Sequence, residues 1–381
     1  MAELFAERAN ALREEVVERK KVEAEWRQAN SALAHKLDLF LSGELPEIDY
    51  RAVGAKSGSA TRAASAAVLG VYAEQVENMI VASADLSNSD KTDGFLKKTH
   101  AFKRGDFSGK FFQAGVSEFT MACVMNGMAL HGGVIPACGT FFVFSDYMKP
   151  VVRLSALMGL HVIYIWTHDS FRVGEDGPTH QPIEQEAQIR LMEHLHNHKG
   201  ERSMVVLRPA DAEETVAAWK IALEEHRPVA LVLSRQDIKS LPSHTSRLDE
   251  AMQAYKGAYT VVDSANPEVV MLASGSEVST LVAGAELLMQ EGVAVRVVSV
   301  PSEGLFRDQP KSYQDSVLPV GVTRYGMTSG LPVTLLGLVG SMENIHGLDH
   351  FGHSAPYKVL DEKFGYNGET VYNEVKKLLG K

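Results

Sequence analysis

The chain has 381 residues, of which 45% are hydrophobic and 23% charged, and its formal net charge is −10. This length is sufficient for two or three globular domains, each with its own core. The acidic balance argues against a nucleic-acid-binding protein, which usually presents a basic face, but is compatible with a local basic pocket for an anionic small molecule.

Residues 1–43 are predicted to be helical, because they are rich in Ala, Glu, Arg and Leu and contain no Gly or Pro before Gly43. Their apolar residues predict one stripe along the helix: Leu12, Val16, Trp26, Leu33, Leu37 and Leu41. The start of the chain has no apolar run typical of a secretory signal or a membrane span, so we expect a soluble, cytoplasmic protein. A linker rich in Gly, Pro and Ser follows, up to residue 60.

Helices and strands alternate from Thr61 onward. The predicted strands are short, continuous apolar runs: MIVAS, VIPAC, HVIYIWT, SMVVLRP and PVALVLS. This pattern is typical of a mostly parallel sheet with helices on both faces. A second α/β block contains the predicted strands EVVMLAS, VAVRVVSV and SVLPVGVT and closes with a helix, NGETVYNEVKKLLGK. We therefore predict an N-terminal helix and linker (1–60) followed by two α/β domains (61–242 and 243–381).

The two cysteines, Cys123 and Cys138, lie in apolar surroundings. We predict two reduced, buried thiols, because no spacing typical of a zinc site is present.

The segment RVGEDGPTHQPIEQ, residues 172–185, concentrates titratable groups such as Asp176 and His180 directly after a predicted strand, and His168 stands just upstream. Open α/β sheets bind ligands at the carboxyl ends of their strands. Acids and imidazoles held rigidly there would suit hydrogen bonding to a polyhydroxylated substrate. The alternative is a polar surface loop that only begins the next helix.

Two further patterns have both a plain and a functional interpretation. Glu118 opens an apolar helix, either as a partner of the helix dipole or as a partly buried acid with a shifted pKa. Phe141, Phe144 and Tyr147 are spaced by three and form either core or a stacking surface for a flat heteroaromatic ring. Four polar residues are not distinctive when taken singly: Arg62, Asp85, Ser89 and Arg235.

Taken together in chain order, the segments TRAAS, SADLSNSD, GVSEFTMA, TFFVFSDYM, THDS, GEDGPTHQP, LVLSRQ and FGHSAPY resemble the C-terminal half of transketolases. The resemblance covers nearly the whole chain from Arg62. It implies a pyrimidine-binding domain followed by the transketolase C-terminal domain, and an enzyme that moves a two-carbon ketol unit from a ketose phosphate to an aldose phosphate.

The resemblance also implies roles for the cofactor-binding residues. Glu118 matches the catalytic glutamate that hydrogen-bonds a ring nitrogen of the thiamine diphosphate aminopyrimidine. Phe141, Phe144 and Tyr147 match the aromatic pocket around that ring, and Asp85 matches a residue near the cofactor and the subunit contact.

On the substrate side, His168, Asp176 and His180 match residues that contact the sugar hydroxyls and the reacting carbonyl, and the two histidines are implied to be catalytic. The residues that match the phosphate end of the substrate channel are Arg62, Ser89, His168 and Arg235. Guanidinium groups suit this end because they bind phosphate oxygens in bidentate fashion.

The sequence departs from the family in three places, one of which is the segment VTRYGMTSG, which lacks the usual Glu-Ala pair. The Gly-Asp-Gly motif that transketolases use with Mg²⁺ to hold the diphosphate is missing, so we expect a partner subunit to carry that domain and the metal, in a heterotetramer. The apolar N-terminal helix would pack on this partner. A His-rich insertion (His194, His196, His198) suggests either metal binding or, as we favour, an exposed loop.

Three alternatives stay open at this point. The chain could be a subunit of another thiamine-diphosphate enzyme, resembling the beta subunit of 2-oxo-acid dehydrogenases or deoxyxylulose-phosphate synthase. It could be a non-catalytic, regulatory relative. It could also be a piece of a longer enzyme.

Overall fold

The computed structural model describes all residues, 1–381, and contains two parallel-based sheets. The first sheet has the strand order β2-β1-β3-β4-β6-β5, and all five of its pairings are parallel. Its strands are β1 (Met79–Ser83), β2 (Phe111–Gln113), β3 (Ile135–Phe141), β4 (Ile163–Thr167), β5 (Val205–Leu207) and β6 (Val229–Leu233).

Helices cover both faces of this first sheet, which explains why its strands are continuous apolar runs. Successive residues of one strand face different cores: Ile163 and Ile165 pack in the cluster that contains Trp219, whereas Tyr164 and Trp166 pack in the opposite one. The helices of this unit are α3 (Thr61–Gln75), α4 (Ser87–Asp90), α5 (Asp93–Leu96), α6 (Glu118–His131), α7 (Ser145–Met158), α8 (Gln185–His194) and α9 (Ala212–Glu224).

The second sheet has the order β11-β10-β8-β9-β7, with β7 antiparallel to β9 and the other pairs parallel. Its strands are β7 (Tyr259–Val262), β8 (Val269–Ala273), β9 (Val295–Ser299), β10 (Thr323–Met327) and β11 (Ile345–His346). Its helices are α10 (Arg247–Ala251), α11 (Glu277–Gln290), α12 (Glu303–Arg307), α13 (Lys311–Val317), α14 (Leu336–Val339), α15 (Tyr357–Phe364) and α16 (Gly368–Leu378). The predicted class, two successive mostly parallel α/β units, is confirmed, and so is the closing helix.

The N-terminal prediction of one striped helix is wrong in its detail. The segment forms two helices, α1 (Ala2–Ala29) and α2 (Ser31–Ser42), because the backbone of Asn30 leaves the helical region at φ −130° and ψ 52°. No residue of α1 is buried, and its large apolar side chains, among them Leu12, Val16 and Trp26, are exposed. No other element of this chain therefore buries a residue of α1.

Two smaller predictions are also corrected. The apolar run SVLPVGVT is not a strand: α13 occupies its start, and β10 begins only at Thr323, because Pro319 and Gly321 interrupt any ladder. Cys123 is exposed on α6, whereas Cys138 is buried in β3 as predicted. Both thiols are free. No helix is long and apolar enough to cross a membrane.

Candidate active site at the carboxyl edge of the first sheet

The candidate residues gather at one edge of the first sheet because its strands all run the same way. Ser89 follows β1, Phe144 follows β3, His168 follows β4 and Arg235 follows β6. The sheet order places β1, β3, β4 and β6 side by side, so residues that are far apart in sequence end at a common edge. This is the edge at which open α/β sheets bind ligands.

His168 lies in the middle of this edge and has an unusual backbone. Its φ is +63°, in the left-handed region that costs a non-glycine residue about 1–3 kcal/mol. Only 3% of the residue is exposed. Its Nδ1 lies 2.8 Å from Thr167 Oγ1, and its Nε2 lies 3.4 Å from Arg62 Nη1. Because a guanidinium can only donate, Nε2 must accept, and the proton therefore sits on Nδ1.

The electrostatics of this cluster keep His168 neutral. Burial, together with the positive charges of Arg62 and Arg235, lowers the pKa of His168 to about 2. Burial and the like charge of Arg235 also lower the pKa of Arg62. Arg62 Nη1 donates to the backbone oxygen of Ser89 at 2.7 Å. Two guanidinium groups close enough to influence each other, with no carboxylate hydrogen-bonded to either, form an end of the site suited to an anion.

An aromatic wall runs from His168 toward the surface. The His168 and Phe141 rings stack with their centroids 3.6 Å apart, Phe141 stacks on Phe144 at 5.7 Å, and Phe144 on Tyr147 at 5.9 Å. His180 meets the edges of Phe141 and Phe144 at 6.2 and 5.4 Å. Phe141 is buried, while Tyr147 is 64% exposed. The wall is therefore not simply core, and its outer part is free to stack on a flat ring.

Glu118 is the first residue of α6 and is 8% exposed. The only side-chain hydrogen bond to its carboxylate comes from Thr140 Oγ1, at a long 3.5 Å. Thr140 directly precedes Phe141 in β3, so the acid and the aromatic wall are adjacent. A buried carboxylate with unused hydrogen-bonding capacity beside an aromatic wall fits the ring nitrogen of an aminopyrimidine.

Two of the candidate acids make no hydrogen bond to this cluster. Asp85 and Asp176 are both exposed, and neither side chain has a hydrogen-bond partner within the chain. Asp85 is at the same edge, with a left-handed φ of +64°. Asp176 stands on the loop between Gly174 and His180.

A buried ionic cluster behind the loop was not predicted from the sequence. Arg208 donates to Asp169 Oδ2 through Nε at 3.1 Å and Nη2 at 2.8 Å, and its Nη1 donates to Glu277. Arg172 also donates to Glu277. Asp169 and Arg172 belong to segments that the sequence singled out, but nothing local marks Arg208 or Glu277, because their partners lie far along the chain.

The His-rich insertion is exposed, as favoured. His194, His196 and His198 are all exposed, and His194 Nε2 lies 3.4 Å from Glu303 Oε1. The structure contains no group of three or more His, Cys, Asp or Glu side chains that could hold a metal ion.

Comparison with known families gives two matches in chain order. A model described as "Transketolase, pyrimidine binding domain" matches residues 57–240, and one described as "Transketolase-like TK C-terminal domain" matches residues 257–367.

The curated relatives that this chain matches are also transketolases. The chain is 43% identical over 365 residues to a transketolase of Geobacillus stearothermophilus, across 94% of this chain and 53% of the relative. It is 42% identical over 366 residues to a transketolase of Bacillus subtilis strain 168, across 94% of this chain and 53% of the relative. The chain thus spans about half the length of the curated relatives that it matches.

Solved structures of transketolases also match this chain. A transketolase from Leishmania mexicana matches with a TM-score of 0.84 at 36% identity, across 95% of this chain and 52% of that one. A chain described as a split-gene transketolase in an inactive beta4 tetramer matches with a TM-score of 0.64 at 24% identity, across 85% of this chain and 99% of that one. This last likeness is one of fold alone.

Proposed function

Since the chain belongs to the transketolase family, we propose that it carries the pyrimidine-binding and sugar-binding half of a thiamine-diphosphate-dependent ketol transferase. The observation that carries the proposal is the convergence of a buried acid, an aromatic wall and a cationic end on one sheet edge: Glu118, then Phe141 with Phe144, then Arg62 with Arg235. We propose domain boundaries at residues 60 and 242.

Thiamine diphosphate, when bound, supplies the carbon nucleophile and the electron sink that ketol transfer requires. The part of this chain is to hold and polarise the pyrimidine ring. Phe141, Phe144 and Tyr147 would stack on it, and the carboxyl group of Glu118 would share one proton with a ring nitrogen, since a carboxylate and an unprotonated ring nitrogen both only accept. Burial strengthens that hydrogen bond because water does not compete for the carboxylate. Asp85 stands at the same edge, where we propose that it helps to seat the cofactor near a subunit contact.

The cationic end would bind the phosphate of the sugar. Arg62 and Arg235 supply the charge, and Ser89 positions Arg62 through its backbone oxygen. Next to them, Nε2 of the neutral His168 would accept from a sugar hydroxyl in place of its long 3.4 Å contact with Arg62 Nη1. His180, at the edge of the aromatic wall, and Asp176, on the exposed loop, would contact the remaining hydroxyls and the carbonyl. Their part is orientation and proton transfer at the reacting carbons.

We further propose that a second chain holds the diphosphate and Mg²⁺. Three observations support this: the chain matches half of its relatives, no side-chain group suits a metal, and α1 has no buried residue. This 28-residue helix, with Leu4, Phe5 and Trp26 on its surface, would anchor that partner. The solved split-gene transketolase adds an example of such a division in another protein.

The proposed heterotetramer also requires that two copies of this chain associate with each other. The apolar helix α6, which begins with Glu118, exposes Phe119, Cys123 and Leu130 on one side, and Val116 precedes them. Phe119, Cys123 and Leu130 are four and seven residues apart, so they share one face. Helices that are apolar all round are normally buried, so we propose that a second copy covers this face.

Reconstitution tests the proposal. The chain would be purified alone and together with a candidate partner that carries a Gly-Asp-Gly motif, and ketol transfer from xylulose 5-phosphate to ribose 5-phosphate would be measured with thiamine diphosphate and Mg²⁺. We expect activity only in the mixture. Full activity of the lone chain would refute the split arrangement. Transfer from pyruvate, but not from the ketose phosphate, would refute the proposed donor.

A further inference from the structure

The second sheet has a crevice of the kind that usually binds a ligand, and an arginine of the first unit fills it. The strand order switches between β8 and β10, so the crevice lies at their carboxyl ends. Arg208 donates there through Nη1 to the backbone oxygen of Ser274 at 3.0 Å, just after β8, and through Nη2 to Ser329 Oγ at 2.9 Å, just after β10. The crevice thus binds the neighbouring domain.

Glu277 is the centre of this contact. It begins α11, is fully buried, and uses both carboxylate oxygens: Oε2 accepts from Arg208 Nη1 at 2.5 Å, and Oε1 accepts from Arg172 Nη1. Burial acts to raise the pKa of Glu277, but the two arginines outweigh it, so the pKa is lowered and the group stays charged. Arg172 also donates to Asp361 at 2.6 Å, a second acid of the same domain.

These arginines connect Glu277 to the candidate site. Arg208 holds Asp169 Oδ2, and the other oxygen of that buried carboxylate has no partner, so Arg208 is the main anchor of Asp169. Asp169 directly follows His168, whose left-handed backbone must be held in place by its neighbours. Arg172 anchors the other end of the segment 168–172 by donating to Glu277 and Asp361. Glu277 therefore restrains both sides of residues 168–172 through charge-assisted hydrogen bonds.

The same domain also holds the loop that carries Asp176 and His180. Ser354 Oγ donates to the backbone oxygen of Glu175. Gln181 Nε2 donates to the backbone oxygens of Gly174 and His353, both at 2.9 Å. Residues 174–181 are thus attached to the second domain at both ends of the loop.

We propose that Glu277 is a positioning residue of the site: it holds His168 in place through Arg208 and Asp169, and the 174–181 loop in register through Arg172. In this proposal the second α/β domain positions His168 and the 174–181 loop, which form the sugar-binding side of a site located in the first domain. The inference rests on the proposed function in one respect: it takes this side of the site to be the side that binds the sugar.

Hydrogen exchange of the 381-residue chain tests the proposal without cofactor or partner. The variants are Glu277→Gln and a matched control, Glu214→Gln. Glu214 is an equally buried carboxylate at the domain contact that binds Tyr259 and Ser299 and does not contact residues 168–181. We expect peptides covering 168–181 to exchange about tenfold faster in Glu277→Gln and to be unchanged in Glu214→Gln. Unchanged exchange in Glu277→Gln, or equal acceleration in both, would overturn the proposal.

A second variant covers the case in which Glu277→Gln does not fold. Arg172→Lys keeps the positive charge but has a single nitrogen, which cannot bind Glu277 and Asp361 in the way that the guanidinium does. We expect faster exchange at 174–181 in this variant, and no acceleration there would count against the proposal. In the reconstituted assembly, Glu277→Gln should lower kcat/KM for the ketose phosphate about 10- to 100-fold, with the Kd of thiamine diphosphate changed less than about twofold. An equal loss of cofactor binding would show a general structural role instead. Because exchange is measured without turnover, failure of the ketol-transfer proposal would be seen separately.

Discussion

The imidazole of His168 stacks on the phenyl ring of Phe141, with the ring centroids 3.6 Å apart and 29° between the planes. Phe141 pairs with Thr167 across β3 and β4, so the residue after Thr167 stands directly beside it. This contact joins the aromatic wall to the cationic end. A ring held on the wall and a phosphate held by the arginines would therefore belong to one continuous site.

Replacing Glu118 tests the cofactor side. Glu118→Ala removes the buried carboxylate of α6 beside the aromatic wall, and we expect kcat for ketol transfer in the reconstituted assembly to fall about 10²- to 10⁴-fold. Glu369→Ala is the control, because Glu369 is also a first-turn acid of a helix but is exposed on α16. Activity of Glu118→Ala within about twofold of the wild type would remove the basis of the proposed function.

Arg235→Leu tests the phosphate end. A hydrogen bond to a charged group contributes about 1.5–3 kcal/mol, so we expect the KM of a ketose phosphate to rise about 10- to 100-fold. Steady-state kinetics with an unphosphorylated ketose should show little change. Arg153→Leu, which removes an exposed arginine of α7, serves as the control. An equal loss with both kinds of sugar would mean that Arg235 does not bind the phosphate.

His168 gives the stability of the chain a predictable pH dependence. Its pKa is lowered in the folded state, so below about pH 6.5 the unfolded chain binds a proton that the folded chain does not. Folding stability should therefore fall as the pH drops from 6.5 toward 4.5, with this residue contributing up to ~1.4 kcal/mol per pH unit.

Urea unfolding of the wild type, His168→Gln and the control His100→Gln would measure this contribution. We expect a shallower loss of stability only in His168→Gln, since Gln stays neutral throughout. His100 is exposed and lies outside the site. Parallel pH profiles for all three proteins would contradict the environment described for His168.

The two cysteines provide a test of the α6 face. Burial raises the pKa of the Cys138 thiol, whereas Cys123 is exposed. A thiol reagent should modify one group rapidly in the isolated native chain and the second only on unfolding, and Cys123→Ser should remove the rapid phase. In the assembly we expect Cys123 to be protected. Rapid modification of Cys123 in an active assembly would show that α6 is not the contact between copies.

Deletion of residues 2–29 separates folding from partner binding. None of these residues is buried, and the Arg27–Asp38 ion pair that joins α1 to α2 is exposed and contributes little to stability. We expect the thermal unfolding midpoint to change by less than about 2 °C, while sedimentation shows loss of the complex with the partner. Retention of the complex would place the partner elsewhere.

The sequence by itself determined the α/β class and the family. Strands buried on both faces must be apolar throughout, so MIVAS and HVIYIWT indicated β1 and β4 without any knowledge of their neighbours. Parallel order then brought the strand ends to one edge, and the motifs there, including Glu118 and His180, indicated the chemistry. Apolar runs and short motifs are local features, so they can be read from the sequence without knowing the tertiary structure.

Other features were decided by tertiary structure. The apolar run near Pro319 resembled a strand, but α13 takes its beginning, and ladder pairing starts only at Thr323. The pairing of Arg208 with Glu277 joins residues 69 positions apart in two domains. Whether a charged side chain is buried against an opposite charge depends on which elements pack together, and hydrophobic periodicity carries no information about that choice.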